Sequence, residues 1–137
     1  MNAASLAIYL WIALGGALGS VGRYALSGLV ADRAGGSFPW GTLFVNVSGS
    51  FVIGLLAALA EPGGRRYIGP TGRAFFMYGI CGGYTTFSSF SLQTLELIRE
   101  GDWLKAGANA FASVALCMIA VWLGYILGLS LNNGKRV

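Results

Sequence analysis

Four long apolar runs, about residues 5–29, 40–60, 72–98 and 104–131, take up most of this chain. A helix needs about 20 mostly apolar residues to cross a bilayer, and each run supplies them. The stretches between are short: Asp32 to Pro39 and Glu61 to Pro70 are Gly- and Pro-containing connections, and Glu100 to Asp102 is a tight polar turn. Of the 137 residues, 55% are hydrophobic and only 10% charged, against about 25% charged in a soluble domain. A mean hydropathy of +0.67 leaves too few polar side chains to cover a core in water, so apolar surface must face lipid. The expected fold is an all-α membrane protein, one transmembrane domain over residues 1–137 with four spanning helices.

No basic residue precedes the first run, and its Ala-Leu-Gly-rich stretch outlasts a secretory signal's apolar core, so it reads as a retained span. Cys81 and Cys117 each lie inside an apolar run, where a free thiol behaves as a small hydrophobe. With no histidine and few carboxylates in the runs, catalytic triads and transition-metal sites lack their usual ligands, and an enzyme is not expected. The net charge is +4, but the basic residues are scattered among loops, which argues against nucleic acid as a partner. Four spans would put Arg65, Arg66, Arg73, Lys135 and Arg136 on one side and Arg23, Arg33, Arg99 and Lys105 on the other. That balance gives the positive-inside rule nothing to choose by. It suggests insertion both ways round, hence an antiparallel dual-topology homodimer.

Helices in lipid pack closely where small residues let their backbones approach. Gly15 with Gly19 and Gly124 with Gly128 form two GxxxG pairs, while Gly41, Val45, Ser48 and Gly49 thin one face of the second run. The third run differs, because Gly79-Ile80-Cys81-Gly82-Gly83-Tyr84-Thr85-Thr86-Phe87-Ser88-Ser89-Phe90-Ser91 puts glycines and β-branched residues in mid-span. Gly costs a helix about 1 kcal/mol against Ala, and Thr is also a weak helix former. The third helix is therefore expected to break, unwinding between residues 82 and 86. Unwound backbone at membrane depth survives only when buried in protein or lining a cavity, which suggests an ion site.

Phe87 and Phe90 are three apart, so their rings share a face if helix resumes after the break. Two readings stay open: core packing, or two positive ring edges offered to an anion. Hydroxyls at Thr85, Thr86, Ser88, Ser89 and Ser91 surround them, and the second run adds Asn46 and Ser48. A mid-span amide faces either an interhelical hydrogen bond or a water-filled path. Asn109 and Ser113 in the fourth run are four apart and would extend a polar stripe.

Three segments resemble one family, the small bacterial fluoride channels called Fluc or CrcB. Gly15 to Tyr24 is similar to its first-helix signature, Gly41 to Gly49 to its GTLxxN segment, and Gly82 to Phe90 to its GGxTTFSxF segment. The motifs stand in family order, and the last is highly specific. Tyr84 and Ser89 within that segment and Gln93 just after it depart from the commonest residues, and Asn109 stands where other members can carry tyrosine.

The resemblance implies fluoride-selective export from the bacterial cytoplasm through the inner membrane, by a dual-topology homodimer with two pathways. It assigns Asn46, Phe87, Phe90, Thr86, Ser88, Asn109 and Ser113 to the fluoride pathway and Arg23 to an anion vestibule. It also implies a structural Na+ at the dimer interface, held by the backbone carbonyls of Gly82 and Thr85. Hard oxygen ligands suit such a cation. Two rivals share the hydropathy: a four-helix multidrug transporter and a non-transporting structural subunit. The first needs a mid-membrane carboxylate, and Asp32, Glu61, Glu100, Asp102 and Glu96 lie in loops or toward a run's end.

Overall fold

The computed structural model describes residues 3–63 and 66–132. Arg65, Lys135 and Arg136 of the charge balance lie outside the described residues. All regular structure among the described residues is helical: α1 (Ala3–Ala34), α2 (Trp40–Leu59), α3 (Pro70–Arg73), a π-helix (Ala74–Cys81), α4 (Gly82–Tyr84), α5 (Phe87–Arg99) and α6 (Trp103–Asn132). Three helices are long and apolar enough to cross a membrane: Ser5–Ala34 within α1, α2 and α6. At about 1.5 Å per residue, a 20-residue helix such as α2 matches a hydrocarbon core of about 30 Å.

The ends follow from local chemistry. α1 runs past residue 29 to Ala34, where Gly35 takes a left-handed φ of +84° and its N–H bonds Ala31 O. α5 closes in the same way: the N–H groups of Gly101 and Asp102 bond Ile98 O and Leu97 O, with Gly101 at φ +84°. Only glycine takes that conformation without cost. A Lys105–Asp102 ion pair of 2.7 Å spans the start of α6.

The third apolar run is helical through Tyr84, extended at Thr85 (φ −85°, ψ 156°) and Thr86 (φ −152°, ψ 116°), and helical again from Phe87. The expected unwinding from residue 82 is thus corrected to two residues. Gly82–Tyr84 stay wound because the Thr85 N–H and hydroxyl both close onto Cys81 O, at 3.0 and 2.9 Å. The extended residues are the two β-branched threonines, which fit that backbone best. The π-helix before them has no counterpart in the propensity argument. Such segments are rare and frequently sit beside functional sites.

Glycines set the helix pairing. A Cβ on Gly15 or Gly19 would collide with backbone of the π-helix, and one on Gly83 would meet Gly16 Cα at 3.0 Å. α1 therefore lies flush against the π-helix and α4. On the other flank a Cβ at Gly54 would strike Val121 O, and Cβ atoms at Gly124 and Gly128 would strike Phe51 O and Leu55 O, so α2 and α6 interlock. Between these pairs Val45 is completely buried. Large apolar side chains such as Leu10, Leu14, Leu18, Trp122 and Leu123 stand exposed on the outer faces, as lipid-facing surface requires.

Candidate functional site

The extended pair Thr85–Thr86 interrupts the i to i−4 ladder, and the groups it frees define the site. In a continued helix, the N–H groups of Thr86, Phe87 and Ser89 would bond the carbonyls of Gly82, Gly83 and Thr85. Here the Thr86 N–H donates instead to Asn46 Oδ1 at 2.7 Å, and Asn46 Nδ2 donates to Thr86 O at 3.0 Å. The mid-span amide of α2 thus caps both backbone groups of one broken residue. The Ser89 N–H donates to Thr86 Oγ1 at 3.2 Å, an N-cap for α5.

The Gly83 carbonyl finds side-chain donors in α1. Arg23 Nε donates to it at 3.1 Å, and Ser20 Oγ reaches it at 3.5 Å. Arg23, expected as a vestibule charge, is therefore also bonded directly to the interrupted segment. Gly82 and Thr85 are the carbonyls whose helical donors have been diverted, to Asn46 and to Thr86 Oγ1 respectively. On α2, Gly49 makes room for the turn: a Cβ there would collide with Thr85 Cγ2 and meet Tyr84 Cδ1 at 3.1 Å.

Two grooves flank Thr86. The first, of about 380 Å³, is lined by Asn46, Thr86, Phe87, Phe90 and Ser113, with Cys81 and Cys117 also on its wall. The rings of Phe87 and Phe90 are 5.2 Å apart between centroids and tilted by 52°. Phe87 is 77% exposed in the single chain, and Phe90 is half-buried. The second groove, of about 310 Å³, is polar, with Arg23, Ser20, Ser27, Thr42, Ser89 and Gln93 on its walls. Gln93 Oε1 is buried without a hydrogen-bond partner.

The remaining predicted residues fall in different places. Ser113 reaches the first groove, but Asn109 does not. Asn109 is 1% exposed; its Nδ2 donates to Thr94 Oγ1 at 2.8 Å, and Ser113 Oγ donates to its Oδ1 at 3.4 Å. Thr94 Oγ1 in turn donates to Phe90 O at 2.7 Å. The polar stripe of α6 thus passes through α5 to the backbone of Phe90. Ser88 is exposed and 3.2 Å from Thr86 Oγ1. Sequence reasoning missed Thr94 and Ser20, although Thr94 is four residues from Phe90 and Ser20 lies inside the first-helix motif.

Fold and site together define a small α-helical membrane protein built round an interrupted, polar-capped segment. The model of the family described as CrcB-like protein, Camphor Resistance (CrcB), matches residues 10–125, and the chain belongs to that family. It is 62% identical over 130 residues to the fluoride-specific ion channel FluC of Opitutus terrae, covering 95% of this chain and 98% of the relative. The protein of the same name from Rhodospirillum rubrum is 59% identical, covering 92% and 98%. That from Methylocella silvestris is 51% identical, covering 93% and 97%. The resemblance carried by the three motifs is borne out.

Proposed function

We propose that this protein is a fluoride-selective channel of the bacterial cytoplasmic membrane, an ion channel and not an enzyme, through which fluoride leaves the cell by passive electrodiffusion. The observation that carries the reading is the first groove. There the two phenyl rings, the Asn46 amide and the hydroxyls of Thr86 and Ser113 converge beside a capped helix break, in a chain whose relatives bear the name of fluoride-specific channels. Polar hydrogens and positive ring edges stand in for part of fluoride's hydration shell. Arg23 gives the second groove a positive wall that draws anions inward.

In this reading the helical pieces from Pro70 to Arg99 form one broken span. α5 alone has 13 residues, about 20 Å, too short to cross. Two oppositely inserted copies pair through faces that carry exposed groups such as Phe87, and each copy contributes to two pathways. The carbonyls of Gly82 and Thr85 would hold a sodium ion between the copies. They fit it, because both are oxygen ligands stripped of their helical donors, and hard oxygens suit a hard cation. When bound, the ion would supply positive charge that anchors the breaks of both copies. A proton-coupled multidrug transporter is disfavoured, since Glu61, Glu100 and Asp102 lie outside the helices and Asp32 and Glu96 stand in the last turns of α1 and α5.

The test is fluoride release from proteoliposomes read with an ion-selective electrode, with chloride as comparison. Rapid fluoride release without chloride release is the expected result. Equal release of both, or of neither, sinks the reading.

A further inference from the structure

We infer that Asn46 and the Thr86 hydroxyl are positioning residues for the cation site, since each removes one backbone donor that would otherwise silence a carbonyl of that site. This rests on the cation reading above and deepens it. A carbonyl that already accepts a helical N–H presents less of its charge to a metal and points along the helix. Releasing two such carbonyls in mid-span requires that two N–H groups go elsewhere.

The structure accounts for both. The Thr86 N–H is the helical partner of Gly82 O, and it is held 2.7 Å from Asn46 Oδ1. The Ser89 N–H is the helical partner of Thr85 O, and it is held 3.2 Å from Thr86 Oγ1. Of the two carbonyls between them, Gly83 O is instead occupied by Arg23 and Ser20. Gly82 and Thr85 are the two whose helical donors are held by named side chains, and they are the pair proposed to face the ion. A second bond, Asn46 Nδ2 to Thr86 O at 3.0 Å, holds the amide in the orientation that presents its oxygen to the Thr86 N–H. Asn46 thus serves the anion groove with one flank and the cation carbonyls with its oxygen. Loss of flux on substituting it would arise partly through the cation.

The decisive readout is therefore sodium-dependent stability. A ligand that binds only the folded state raises the unfolding midpoint with its concentration. Purified protein in detergent is melted over a sodium series at fixed ionic strength, with N-methyl-D-glucamine replacing sodium, and circular dichroism confirms helical content. We expect the midpoint of the unsubstituted protein and of Thr86→Ser to climb with sodium. Asn46→Leu and Thr86→Val should lose the climb while remaining helical.

Folded Asn46→Leu and Thr86→Val proteins that keep the full sodium response overturn the inference and leave the cation reading standing. No sodium response in the unsubstituted protein removes the cation reading, and the inference with it. If Asn46→Leu fails to fold, Thr86→Val against Thr86→Ser decides alone, because Val keeps the branched shape of Thr without its hydroxyl and Ser keeps the hydroxyl without the methyl.

Discussion

Replacing Arg23 by methionine tests whether its guanidinium serves only as a distant charge or as a strut. Arg23 Nε lies 3.1 Å from Gly83 O, a charge-assisted bond worth about 1.5–3 kcal/mol. Ser20 Oγ, already 3.5 Å from the same oxygen, can close in and recover about 0.5–1 kcal/mol of this. The Arg23→Met variant should therefore be less stable by about 1–2 kcal/mol. Adding Ser20→Ala leaves the carbonyl without either donor, and the double variant should fall by about 2–4 kcal/mol. That exceeds the sum of the single losses by at least about 0.5 kcal/mol, as expected for two donors on one acceptor. Arg23→Lys keeps the charge but not the planar fork, so it should preserve the salt dependence of fluoride flux while losing part of the stability. Reversible unfolding in SDS-containing mixed micelles supplies the free energies. An Arg23→Met protein within about 0.5 kcal/mol of the original, the scatter of surface substitutions, would show that the bond to Gly83 holds nothing in place.

Phe87→Ile and Phe90→Ile should each slow fluoride efflux from proteoliposomes by at least about tenfold, a barrier change near 1.4 kcal/mol, with an unchanged size-exclusion profile. Unchanged flux in both would defeat the ring-edge mechanism. Gly49→Ala places a Cβ against Thr85 and Tyr84 and should cost about 1–3 kcal/mol through overpacking, measured by micelle unfolding, with reduced flux. Asn109→Leu should change stability by less than about 1 kcal/mol, because its loss orphans no backbone group and interhelical bonds in lipid are weak. Asn132→Leu should cost about 1–3 kcal/mol, since the Asn132 amide donates to Ala58 O and accepts from the Arg66 N–H, both at 2.9 Å.

Much of this was legible in residue order. The apolar runs announced the long helices, and the GxxxG pairs announced which faces would meet a neighbour. The position of the break was harder, because Gly82 and Gly83 pointed to unwinding on intrinsic propensity. Propensity is a weak prior beside tertiary bonds. Side chains from other helices decided where the ladder gave way: Asn46 captured the Thr86 N–H and Arg23 captured Gly83 O. Such long-range donors leave no local trace in the third run. The same holds for Asn109, whose spacing to Ser113 was readable while its partner Thr94, on α5, was not. The π-helix had no readable signal, its residues being ordinary apolar ones.

The glycine matching has a consequence for how the chain is made. The closest-fitting surfaces join α1 to the π-helix and α4, and α2 to α6, so each early helix waits for a partner synthesised in the second half. The nascent α1–α2 hairpin has one comparable close approach of its own, Gly41 against Ser27 O. Assembly is therefore a late, interleaved event: the first two helices rest in lipid with most of their smooth faces bare until the remaining segments arrive, and a ribosome stall before α6 would leave the Gly54 face of α2 unmated.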